Sequence, residues 1–133
     1  MNAESALGAY KTSKNELALT DASPQKLIAL LLDRALEHVS MAKGAIDRGE
    51  VADMGEAIGK AMTIISSLQA SLNFEQGGDI ANNLDSLYDY MTQLLLKATS
   101  EKNVDYLREV SGLLSEIKDG WDSIPADMRG VAE

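Results

Sequence analysis

The sequence predicts an all-α protein: an antiparallel up-down four-helix bundle with a short N-terminal segment packing on it. Apolar residues recur at alternating intervals of three and four along four separate stretches, which is the spacing of a buried helical stripe. Short runs of helix-breaking residues separate those stretches, so neighbouring helices must double back on one another. With only two prolines and one phenylalanine, the chain also lacks the turns and aromatics of a sandwich built from many short strands.

The first helix is expected over about 24–48, because Ser23 can accept from an early backbone N–H and Pro24 at the first helical position sacrifices no hydrogen bond. Its stripe is Ile28, Leu32, Ala35, Val39, Ala42 and Ile46, and Gly49 supplies the stop. The second, over about 51–73, carries Met54, Ile58, Ala61, Ile65, Leu68 and Leu72, then gives way to the turn-like run from Asn73 to Gly78. Asp79 is the expected cap of a third helix over about 79–101, with Ile80, Leu84, Leu87, Met91, Leu94 and Ala98 on its stripe. Asn103 is the expected cap of the fourth, over about 104–124, with Leu107, Val110, Leu114, Ile117, Trp121 and Ile124 on the stripe and Pro125 ending it.

A chain of 133 residues has room for one domain, and its 45% hydrophobic content is enough for a core without metals or disulfides. The expected organisation is an N-terminal segment over 1–22, the bundle over 23–124 and a frayed C-terminal tail over 125–133. Leu7 and Tyr10 are isolated apolar side chains in a polar segment, too few to hold a conformation alone, so they need a surface to rest on.

The absence of cysteine removes thiolate metal sites, cysteine nucleophiles and disulfides, and suits a reducing compartment. No cationic start followed by an apolar run opens the chain and no apolar run approaches the roughly 20 residues of a membrane span, so a soluble, cytosolic protein without membrane insertion is expected. A net charge of −9 disfavours nucleic acid and anionic lipid, which are bound through lysine and arginine. A di-iron bundle needs two helical Glu-x-x-His motifs, and His38 is the one histidine. A phosphotransfer bundle would use such a histidine, yet the lysine and glycine expected one turn beyond it are displaced to Lys43 and Gly44. No catalytic residue, cofactor or metal site is therefore assigned, and no enzyme activity is expected.

Apolar residues remain once the stripes are filled: Leu27, Leu30, Leu31 and Leu36, then Ile64, then Tyr88, Leu95 and Leu96, then Leu113. They either widen each helix's buried face or line a groove. On the second reading Ile64 and Leu68 face Leu84, Tyr88, Met91 and Leu95 as two open rows that receive a partner helix. About four client side chains buried there at ~1.5–3 kcal/mol each would outweigh the several kcal/mol lost on association. Leu7 and Tyr10 would cover part of that groove in the free protein, since a short tether gives an effective concentration on the order of millimolar. A histidine-phosphotransfer bundle and a self-associating structural bundle remain the alternatives to a client-binding protein.

The run Ser71-Leu72-Asn73-Phe74-Glu75-Gln76-Gly77-Gly78-Asp79-Ile80-Ala81-Asn82-Asn83-Leu84, continued by Leu87-Tyr88-Asp89-Tyr90-Met91, closely resembles the flagellar secretion chaperone family, FliS. Ala9-Tyr10, Ala22-Ser23-Pro24, Leu27-Ile28 and Trp121 follow in the family's order, so the resemblance covers about residues 6–122. Leu31-Leu32-Asp33-Arg34-Ala35 departs from the common pattern of a tyrosine before the aspartate and a glycine after it, and no role is carried onto Leu32. The resemblance implies a non-enzymatic cytosolic chaperone that binds the C-terminal segment of newly made flagellin, blocks premature filament assembly and presents the client to the flagellar type III export gate. Regulators of flagellin synthesis are further candidate partners on the same grounds.

Overall fold

The computed structural model describes residues 23–123, which form four helices: α1 (Pro24–Asp47), α2 (Val51–Ala70), α3 (Phe74–Glu101) and α4 (Val104–Ser123). The N-terminal segment and the C-terminal tail lie outside the described residues, as do Leu7, Tyr10 and Ile124. Each helix packs chiefly on its two neighbours in a closed ring, α1 on α2, α2 on α3, α3 on α4 and α4 on α1. The connections at 48–50, 71–73 and 102–103 are too short for anything but reversal, so the helices alternate up and down.

The start of α1 follows from its first residues. Ser23 Oγ accepts from the Lys26 N–H at 3.2 Å, and Pro24 begins the helix. Its end is a Schellman motif: Gly49, at φ 72°, donates to the Ile46 carbonyl at 3.0 Å while the Glu50 N–H reaches the Ala45 carbonyl at 2.9 Å. Asn103 caps α4 as expected, its Oδ1 accepting from the Asp105 N–H at 2.9 Å.

The third helix departs from expectation at its start. Asn73, not Asp79, is the cap, with Oδ1 accepting from the Gln76 N–H at 3.1 Å, and a helical turn runs from Phe74 to Gly77. The chain then breaks at Gly78, whose φ 50°, ψ −122° no residue with a Cβ adopts without strain, before the main body of α3 continues. The turn-like composition of 73–78 thus encodes a capped turn plus a kink, two features that residue types alone do not separate.

All four stripes enter one core. Leu32, Ala35, Val39, Ile65, Met91, Leu95, Leu107 and Leu114 are fully enclosed. Trp121 closes one end of the bundle, burying its ring and donating its indole N–H to the Gln25 carbonyl at 3.1 Å, which ties the end of α4 to the beginning of α1. Lys118 adds an ion pair to Asp33 at 3.1 Å across the same seam.

Packing is uneven around the ring. The α1/α2 pair is the most extensive, and its buried residues include Ala35, Ala42, Ala45, Ala57 and Ala61, small enough for close backbone approach. The two seams of α3 are the sparsest. The stripe of α3 is buried at Met91, Leu94 and Ala98 but only half-buried at Leu84 and Leu87, and Ile80 is 46% exposed. Ile80 was expected on the core stripe; it lies on that stripe but beyond the reach of any covering element among the described residues.

The α3–α4 connection holds one strained residue. Lys102 is left-handed, at φ 52° and ψ 40°, where an L side chain crowds its own backbone. Lys102→Gly should therefore raise the unfolding free energy by about 0.5–1 kcal/mol, measured as a shift in denaturation midpoint at unchanged slope.

Candidate partner-binding site

The α2/α3 seam brings together most of the residues singled out in the sequence, but not as open rows. Leu68, Tyr88, Met91 and Leu95 are buried, and Leu84 is half-buried. The expectation of facing exposed rows is corrected accordingly: Leu68, Leu84 and Met91 belong to the core stripes themselves, and Tyr88 and Leu95 sit beside the stripe of α3 and widen its core face. Of the surplus residues, Leu96 alone is an exposed large apolar side chain, at 54%.

Ile64 is buried too, in the same core cluster. It lies one turn before Leu68 and two turns after Ala57, so the three share a face of α2. Ala57 and Lys60 also line a hollow of about 340 Å³ between α1 and α2, together with His38, Met41, Gly44 and Arg48.

The face of α2 turned toward α3 is marked by Gln69. Its side-chain amide donates to Asp85 Oδ1 at 2.9 Å and to Asp89 Oδ1 at 2.8 Å, with the Asp85 carbonyl at 3.4 Å. These bonds span the outer edge of the seam, and Tyr88 lies one turn from Asp85 on the inner side. Sequence reasoning missed this clasp, since a glutamine and two aspartates on consecutive helices carry no signal until the helices are set in register.

On its other side α3 is fastened to α4. The Tyr90 hydroxyl bonds the Glu109 carboxylate, and Lys97 Nζ stands 5.9 Å from the centre of the Tyr106 ring. Both contacts lie from Tyr90 onward. The segment between Gly78 and Tyr90 buries only Ala81 and Tyr88 and has Ile80 open at its beginning, with Phe74 (48% exposed) open in the turn before it.

Burial pushes the Tyr88 phenol up to about 12, because the enclosed ring would strand a phenolate away from water. His38, the one histidine, is half-buried on α1 at the edge of the α1/α2 hollow, on the opposite side of α2 from the clasp. No helix among the described residues is long and apolar enough to cross a membrane.

The Tyr88 shift gives a pH prediction of definite sign. The folded protein retains the phenolic proton above the value at which the unfolded chain releases it, so this stabilisation is complete below about pH 10 and is lost as pH rises through about 12. Wild type should lose on the order of 2–3 kcal/mol relative to Tyr88→Phe across that interval, in denaturant titrations repeated at each pH.

The chain matches the family described as Flagellar protein FliS over residues 6–128. It is 42% identical over 124 residues to the flagellar secretion chaperone FliSB of Pseudomonas aeruginosa, covering 93% of this chain and 98% of that one. It is 41% identical to the flagellar secretion chaperone FliS of Salmonella typhimurium over 125 residues, 93% of each chain. The corresponding Vibrio cholerae protein is 39% identical over 125 residues, 94% of this chain and 92% of that one. An all-helical ring of this kind, matched along nearly its whole length, places the chain in the FliS family of flagellar secretion chaperones.

Proposed function

We propose that this protein is a cytosolic export chaperone that binds the disordered C-terminal segment of flagellin, prevents its premature polymerisation and delivers it to the flagellar type III export gate. The observation that carries the reading is the apolar stripe of α3 running past its cover: Ile80 is exposed and Leu84 and Leu87 are half-buried directly ahead of the buried Tyr88, Met91 and Leu95. A client helix laid along this stripe removes apolar surface from water at its edge and reaches the α2/α3 seam behind it. Membership in a flagellar secretion chaperone family supports the client's class.

Leu84 makes first contact in this reading, with Leu68, Tyr88, Met91 and Leu95 engaged as the seam opens. Ile64, one turn before Leu68 on α2, backs the same surface from within the core. Leu7 and Tyr10 act as the displaceable cover of the same stripe, a role that rests on the sequence alone. A segment disordered before binding folds as it docks, so much of the gross gain from apolar burial is offset by ordering of the client.

Purified protein should form a one-to-one complex with flagellin and none with flagellin lacking its C-terminal segment, as read by size-exclusion chromatography with light scattering; equal binding of both would overturn the client assignment. Leu84→Glu, at a half-buried position whose new carboxylate can reach water, should weaken the complex at least about tenfold with helical content unchanged. The buried Tyr88 is unsuited to that test, because a charge there would unfold the bundle before it reported on binding. Deleting residues 1–12 should tighten client affinity, whereas marked weakening would make that segment part of the binding surface.

A further inference from the structure

We propose that Gln69 is a latch that controls how readily the first part of α3, residues 79–89, swings away from α2 to admit a client. The inference rests on the reading that the client docks at the α2/α3 seam, and three independent features of the fold lead to it. Gly78 provides a pivot: its backbone is already outside the helical region, at a kink between two helical stretches, and the space beside its Cα is open, with no atom within 4 Å of where a Cβ would stand. Beyond the pivot, the segment is lightly held, with Ala81 and Tyr88 buried and Ile80, Leu84 and Leu87 at least partly open. From Tyr90 onward, α3 is anchored by the Tyr90–Glu109 bond, the Lys97–Tyr106 contact and the burial of Met91, Leu94, Leu95 and Ala98.

Between pivot and anchor, the side-chain hydrogen bonds described from α2 to this segment all come from one residue. The Gln69 amide holds Asp85 and Asp89, one turn apart on α3, and does so on the outer edge of the seam. The donor side is the fixed one, since α2 belongs to the closely packed α1/α2 pair, while α3 has the sparser seams. Such a clasp is a poor general stabiliser, being partly solvated, but it is well placed to set the frequency of a local opening. Gln69 thus acts by positioning α3; it need not touch the client.

Hydrogen exchange on the free protein tests the latch without any client. In Gln69→Ala the amides of 81–89 should exchange about five- to tenfold faster than in wild type, with the core amides of α1 and α4 unchanged. Gln69→Lys, whose ammonium can reach both carboxylates with charge-assisted bonds, should return those amides to wild-type rates or slower. Unchanged exchange in Gln69→Ala, equal acceleration in all four helices, or failure of Gln69→Lys to rescue would each overturn the proposal. Stopped-flow association with flagellin should show the same order of rates, Gln69→Ala above wild type and wild type at or above Gln69→Lys. If wild type bound no flagellin while exchange followed the expected pattern, the client assignment would fall and the latch would stand.

Discussion

Small side chains at the α1/α2 interface allow two helices to lie close together, and that close pair is the platform on which the remaining structure depends. Ala35, Ala42 and Ala45 on one helix and Ala57 and Ala61 on the other are all buried. Their limited bulk brings backbones together and leaves the larger side chains Ile58, Ile65, Leu68 and Leu72 to point inward and across. α4 is tied back to this pair through Trp121, Gln25, Lys118 and Asp33, and α3 is then the element with the least holding it.

This asymmetry gives the bundle a rigid side and a yielding side. A chaperone that must take up and later release a client needs an apolar surface that the free protein does not leave fully open, because a large exposed patch would invite self-association. Burying Tyr88 on the sparsely packed first part of α3, next to the firmly buried Met91 and Leu95, suits that requirement. Polar contacts suit the fastening role: Gln69 with its two aspartates and Tyr90 with Glu109 give direction and register while adding less to the free energy than apolar burial does. The exposed Ile80 and Phe74 mark where the cover ends.

The acidic character of the chain fits the same economy of surface. Apart from Lys118–Asp33, the ion pairs among the described residues, such as Arg34–Glu37, Lys60–Glu56 and Arg108–Asp105, are short-range in sequence and contribute little to holding helices together. Cohesion comes from the core, and the net charge of −9 opposes close approach of like-charged surfaces.

The number, order and direction of the helices were legible in the sequence, because the interval between apolar residues fixes a stripe and residues such as Ser23, Pro24, Gly49 and Asn103 fix the ends through local backbone chemistry. The family was legible too, in the run from Ser71 to Met91. Only the folded structure decided which side of each stripe meets which neighbour: it closed Ile64, Tyr88 and Leu95 into the core, left Ile80 bare and joined Gln69 to Asp85 and Asp89. The physical reason is one of range. Helix formation and capping are settled by residues within a turn or two of each other, whereas rotation about a helix axis is settled by the volumes of side chains on other helices, which no local spacing encodes.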